Sequence, residues 1–502
     1  MSIRIYPVQK VETPRVGYKV KVNEKEVLTD SARVSAVPYN RRWPGHQRPL
    51  DQTEAAEFLS MASDEPLSFS ITLPRPSDKV KIRPKSLGVK VRKLSPTEIA
   101  FELPCDAYFT VEPYGRHEAL HIFVDPIEED RPDTESESRI YYGPGIHDVG
   151  QITLTDGQTL YLDEGAVVYA CVKAVDASHI AIRGRGILDN SHNLEKYLFN
   201  CRADNNTVAV KNVKRQHTIQ LEYCTDVTID GITIRDSLVY NIRPIACRGL
   251  KIRNVKIIGC WRYNSDGIDM HNCEDVEISH CFLRTFDDSI CVKGFDCYYA
   301  ENVEEAVRNA MYRNGQAYDR FRNVHVSDCV IWNDWGKCLE IGAETRAEEI
   351  CGILFEDCDI IHVTSDVLDC MNVDYADAHD ITYRNIRVEM DETIPPMRYH
   401  FHDDVAYGEE NPCAYPPLIN FEVVFHEEYS AGGTRRGRNR NLIFEDIQVT
   451  GCEKPLIRGR GYSEEASCDG ILIRNITVDG KRLGREDLSL GIEGFVYNLR
   501  IE

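Results

Sequence analysis

The chain has 502 residues, with 81 acidic against 59 basic side chains and a formal net charge of −22. So acidic a surface repels nucleic-acid phosphates and anionic membranes, and neither is an expected partner. No apolar run of about 18 residues, the length a membrane helix needs, is present, and the opening MSIRIYPVQK has no signal-type apolar stretch; the expectation is a cytoplasmic protein, or a secreted one if a leader was removed.

From the start, residues 1–125 show alternating stretches such as YKVKV from Tyr18, LSFSITL from Leu67 and EIAFEL from Glu98, broken by prolines. That pattern predicts an N-terminal antiparallel β-sandwich-like domain. Residues 126–139, acidic and proline-bearing (PIEEDRPDTESES from Pro126), read as a linker. Residues 140–502 then repeat one unit, an apolar alternating run followed by a polar or glycine corner. Copies start at Ile180, Val227, Leu250, Val276, Val324, Ile353, Ile381, Leu442 and Ile471. Several successive starts differ by twenty-odd residues, for example 250 − 227 = 23 and 276 − 250 = 26. A turn of that length holds three short strands, so the expectation is an all-β fold with a parallel β-helix. The steps of 47 and 48 residues read as two turns with a degenerate copy between them. Asn and Asp at the corners suit the left-handed backbone of tight bends.

Of the 18 cysteines, Cys260, Cys281, Cys329, Cys358 and Cys452 fall on expected interior positions and read as small buried apolar residues. No CxxC pair is present, so neither a zinc site nor a disulfide scaffold is expected.

Chemistry concentrates between Asn264 and Lys293, which reads NSDGID and then FDDSICVK. Asp266 and Asp287 lie 287 − 266 = 21 residues apart, close to one turn, so Asp266, Asp287 and Asp288 are expected on one face of neighbouring rungs. Clustered carboxylates are what glycosidic cleavage needs: one protonates the leaving oxygen, another handles water. The bland reading is that each is an ordinary corner residue, but adjacent carboxylates repel unless a partner or a raised pKa compensates. Phe282, Phe286 and Trp261 are candidate walls for the acids. Asn264, Asp269, His271, Lys293, Lys337 and Glu340 are candidate substrate-binding residues; Lys337, in WGKCLEIG, is expected about two rungs past the acids. The Phe295–Arg320 insert and the His400–Pro417 segment read as loops over a cleft.

The motif N-[ST]-D-G-x-D, matched by Asn264, Ser265, Asp266, Gly267 and Asp269, with Asp287 and Asp288 following, resembles glycoside hydrolase family 28, the polygalacturonases, and secondly the dextranase family 49. The resemblance implies a right-handed parallel β-helix that hydrolyses glycosides with inversion. It implies Asp287 as general acid, and Asp266 with Asp288 as the pair activating water. Two features depart from the family: Lys337 stands where its histidine would, and its R-I-K motif has no counterpart, the stretch near Leu368–Cys370 reading L-D-C. A neutral glucan is therefore at least as fitting a substrate as a pectin-type galacturonide.

The expected activity is hydrolysis of an O-glycosidic bond in an oligo- or polysaccharide, with no cofactor or metal and no required oligomer. A polysaccharide lyase or fructotransferase on the same scaffold, and a non-catalytic carbohydrate-binding β-helix, are the alternatives. The N-terminal sheets are expected to shield the first rung.

Overall fold

The computed structural model describes residues 3–10, 14–36, 53–104, 106–131, 136–193, 216–262, 264–296, 300–390, 416–427, 429–430 and 433–502. Most of the His400–Pro417 segment lies outside them.

Two sheets form the N-terminal part. Five antiparallel strands, Lys25–Val27, Lys19–Val22, Leu67–Thr72, Glu98–Leu103 and Arg92–Ser95, face a six-stranded sheet that includes Thr53–Ser63, Ala107–Arg116 and Leu120–Asp125. One pairing departs from the antiparallel expectation, since Leu120–Asp125 runs parallel to Thr53–Ser63. Alternation puts Val20, Val22, Phe69, Ile71, Phe101 and Phe109 between the sheets. Phe69 stacks on Phe101 at 5.0 Å and meets Phe109 edge-on at 6.1 Å, geometries that add to plain burial.

From Arg139–Tyr142 onward, 33 described strands form one continuous ladder, parallel except for a terminal hairpin, wound as a right-handed parallel β-helix. Each turn contributes three strands, for example Ile268–His271, Glu274–Ser279 and Phe282–Thr285. Ile242, Ile268, Ile290, Leu339, Leu368 and Ile419 stack in one interior column. Tyr383 stacks between Phe355 and Phe444, each at 4.9 Å. The repeat copies from Ile180 to Leu442 fall directly under one another. The steps of 47 and 48 residues are therefore single turns carrying insertions, and no degenerate copy intervenes. The Phe295–Arg320 insert holds a helix, Val303–Met311, rather than only loop, and Asn302 caps it by accepting the Glu305 N–H at 3.1 Å.

Corner residues behave as expected: Asn254, Asp357, Asn385 and Asp446 have φ between 50° and 58°. All five named cysteines are buried. Among the described residues no helix is long and apolar enough to cross a membrane.

The N-terminal sheets lie along the flank of the helix instead of shielding its first rung. Val34, Phe58, Tyr108 and Phe123 pack on Ile258, Phe282, Trp332 and Ile361, which come from four successive turns. Buried ion pairs fix this contact: Lys256 with Asp125 at 2.7 Å, Arg235 with Asp30 at 3.1 Å, and Arg116 with Asp334.

Candidate active site

Asp266 precedes strand Ile268–His271, and Asp287 and Asp288 precede the strand below it, Ile290–Lys293. Because Ile268 pairs with Ile290, Asp266 stands over Asp288 rather than over Asp287. Each turn is pinned from a neighbouring rung. Asn241 donates to the Asp266 carbonyl at 2.6 Å, and Asn333 donates to the Asp287 carbonyl at 2.8 Å. Close approach also dictates sequence here: a Cβ on Gly336 would meet the Asp287 and Asp288 backbone at 2.5 Å.

Carboxylate oxygens of Asp266, Asp287 and Asp288 lie within 4.8 Å of one another, close enough to share a divalent ion; Asp288, Cys291 and Glu340 form a second such group. The cation already present is Lys293. Its ammonium lies 2.8 Å from Asp269, 3.3 Å from Asp288, and 3.8 Å from both Asp266 and Glu344. Lys337 lies one rung below Asp288, not two: its backbone N–H donates to Asp288 Oδ1 at 3.0 Å and its carbonyl accepts from Ser289. Its ammonium bridges Glu340 at 2.7 Å and Asp369 at 2.6 Å.

These surroundings drive the acids apart. Burial, then the Asp288 charge, pushes Asp287 well above the usual carboxylate range. Burial, then Asp269 and Asp287, does the same to Asp266. For Asp288 burial acts upward but is outweighed by Lys293 and Lys337, helped by a hydrogen bond from Glu340, and its pKa falls. Burial and Asp288 push Glu340 well up. Burial also raises Asp269, which shares a hydrogen bond with Asp266, although Lys293 opposes it. Oδ1 of Asp266 and Oδ1 of Asp269 are buried and make no hydrogen bond to the described residues.

Of the other candidates, Asn264 supplies a turn, with φ of 55°. His271 shares the strand face of Asp269, in register with Lys293: its Nδ1 meets the Gly294 carbonyl at 2.9 Å, its Nε2 lies 3.5 Å from Arg243, and burial followed by Arg243 depresses it to about 3. The expected aromatic wall is not there. Phe286 stacks on Trp335 inside the helix at 5.5 Å, Phe282 packs on the N-terminal sheet, and Trp261 donates to Asp236.

Sequence reasoning missed the rest of the column. Asp269, Cys291, Glu340, Asp369, Asn420 and Arg458 follow one another in register. Arg458 pairs with Asp366 at 3.0 Å, and Arg243, beside Ile242, pairs with Asp296 at 2.6 Å. Asp288 and Lys337 open the cluster to solvent, their side chains 17% and 16% exposed. A cavity of about 510 Å³ lies elsewhere, lined by the 303–311 helix, Arg346, Asp374, Tyr375 and Arg435; the acids do not line it.

A parallel β-helix with paired carboxylates at the leading ends of successive strands is the class of protein defined here. Residues 145–390 match the family model "Glycosyl hydrolases family 28". The chain is 33% identical over 86 residues to a probable polygalacturonase of Vitis vinifera, covering 17% of this chain and 18% of that one. It is 27% identical over 112 residues to a polygalacturonase of Juniperus ashei, 22% of each chain. The matches thus span about a fifth of these curated relatives. In fold it is similar to Dex49A from Penicillium minioluteum, with a TM-score of 0.52 and 13% identity, over 99% of this chain and 96% of that one. The family 28 resemblance drawn from the motifs returns in the family model, and the likeness to Dex49A is one of fold.

Proposed function

We propose that the protein is a glycoside hydrolase of the polygalacturonase-like type, using residues 140–502 as its catalytic unit with residues 1–125 docked on the flank through the 126–139 segment. The observation that carries this reading is the gathering of Asp266, Asp287 and Asp288 on two successive rungs around Lys293. Asp287, held protonated by burial and its charged neighbour, gives its proton to the glycosidic oxygen as the C–O bond breaks. Asp288, held charged by two lysines, takes a proton from the water that attacks the anomeric carbon. Asp266 orients that water. Asp269 and Glu340 accept substrate hydroxyls, with Lys293 and Lys337 setting the charge of both.

Inversion rests on the resemblance. The oxygens within 4.8 Å are closer than the roughly 6.5–9.5 Å between carboxyl groups of most inverting enzymes, so the anomeric form of the first product is the deciding measurement.

The charge pattern favours a neutral or only partly charged sugar. Lys293, Lys337, Arg243 and Arg458 each bind carboxylates of the protein itself. A polyuronate would have to displace those partners and approach a chain of net charge −22. Release of reducing ends from dextran and from polygalacturonate, measured side by side, tests this. Faster turnover of the neutral glucan is expected, and polygalacturonate alone being cleaved would refute it.

A further inference from the structure

On the outer face of the second strand in each turn, away from the acids, the ladder gathers three unlike donor side chains. Glu349 and Cys351 flank the inward Ile350 on strand Glu349–Glu356, and Cys351 pairs in register with His379 on the next rung. A carboxylate oxygen, the thiol sulfur and a ring nitrogen of these residues all lie within 4.8 Å of one another. We propose that Glu349, Cys351 and His379 form a binding site for a zinc-type divalent metal, with Asp380 orienting the imidazole.

Zinc bonds of about 2.0–2.3 Å in a tetrahedron put ligand atoms roughly 3.2–3.8 Å apart. His379 Nε2 and Glu349 Oε1 are already 3.2 Å apart, so closing the set needs side-chain shifts of only about 1 Å. The imidazole is held in place: His379 is 8% exposed, and its Nδ1 lies 2.7 Å from Asp380 Oδ2. A carboxylate on Nδ1–H leaves the Nε2 lone pair aimed at the proposed ion, the arrangement that fixes the tautomer of metal-binding histidines. Asp380 sits at a corner with φ of 53°, and Asn441 holds its other oxygen at 3.2 Å.

Charge permits the ion. The guanidiniums above and below in this column, Arg322 and Arg440, pair with Glu274 and Asp377, each at 2.9 Å. Arg320 approaches Glu349 only at 3.9 Å. Sulfur with nitrogen and one oxygen suits zinc or cobalt and not calcium or magnesium. Cys351 is partly exposed while the other described cysteines are buried, which gives the ion access and leaves a solvent-facing fourth position. Burial and Glu349 push its thiol up to about 11, so binding must release a proton and tighten as pH rises.

Titration of the full chain with cobalt(II) tests the site through the thiolate-to-metal charge-transfer band. One equivalent should produce the band and zinc should bleach it. Cys351→Ser should abolish it, whereas Cys291→Ser, beside the acids, should keep it. His379→Ala should weaken binding at least 100-fold and Asp380→Asn about 10- to 100-fold. Zinc should also slow alkylation of Cys351 in the unaltered chain at least tenfold, a measurement that needs no variant to fold. Absence of the band, its survival in Cys351→Ser, or equal alkylation rates with and without zinc would overturn the proposal and leave only a surface ladder of hydrogen bonds.

Discussion

Asp287→Asn isolates the proton that the proposed mechanism needs. The substitution keeps the shape of the site. Asp287 Oδ1 accepts the Asp288 N–H at 3.1 Å, and an amide oxygen can do the same. The carbonyl held by Asn333 is main chain and does not change. One of the crowded carboxylates is removed, so the melting temperature should hold or rise. What is lost is general acid catalysis, worth about 10²- to 10⁴-fold, or about 3–5 kcal/mol in the barrier. Initial rates on an oligosaccharide should fall by that factor, while an aryl glycoside whose leaving group departs without protonation should lose less than tenfold. The alkaline limb of the rate profile, set by deprotonation of the raised Asp287, should vanish with it. A loss under tenfold on the oligosaccharide, or an equal loss on both substrates, would refute the assignment.

Lys337→Met removes one of two cations that hold Asp288 down, so the acid limb of kcat/KM should move to higher pH; an unmoved limb would show that Lys337 does not act on Asp288. Arg116→Ala strands the buried Asp334 with only Arg284 and Trp332 as partners and should cost about 3–5 kcal/mol in urea unfolding, with kcat falling more than KM changes. His271 and His121 are each depressed by burial to about 3, below the usual unfolded value of about 6.5. Their neutral forms stabilise fully above about pH 6.5, and stability should drain as pH falls from there toward 3, by at most about 1.4 kcal/mol per pH unit for each histidine. Urea midpoints between pH 7 and pH 4 measure this, and His271→Asn should flatten the slope.

The solenoid was legible because one physical constraint repeats: an interior column accepts only apolar residues and a corner only those that tolerate positive φ. Hence Val227, Leu250 and Val276 could be aligned by eye and fall in register. Insertions defeated the arithmetic, since a turn can leave the ladder at any corner and return without disturbing the stack. Ile180 to Val227 and Val276 to Val324 are single turns for that reason. The acids were found because Asp266 and Asp288 sit in a gapless part of the ladder. Arg458 was missed because its place depends on register carried across an insertion, whereas Arg243 and Asp369 lie one ungapped turn from Asp269 and Glu340. The alternation that puts Asp269 and Glu340 outward would have placed Asp369, had the step from Glu340 been counted as one rung. The 303–311 helix was signalled by Asn302 with Glu305 three residues on, a cap that the polar composition of the insert masked.

The N-terminal sheets bear on the acids through the character of their contact with the helix. The apolar patch of Phe58, Phe123, Phe282 and Trp332 supplies adhesion but little registration, because apolar surfaces can slide at small cost. The buried charges supply the registration. Across the contact Lys256 pairs with Asp125 and Arg235 with Asp30, so a shifted dock would part these buried charges. Asp334 belongs to this set, held by Arg116 from the sheet and Arg284 from the helix. Its own N–H bonds the Thr285 carbonyl, and its neighbour Asn333 holds the Asp287 carbonyl. Register set at the flank is thereby passed, in two hydrogen-bonded steps, to the turn that carries Asp287. A change in the sheet far from any sugar should thus move the rate before it moves binding.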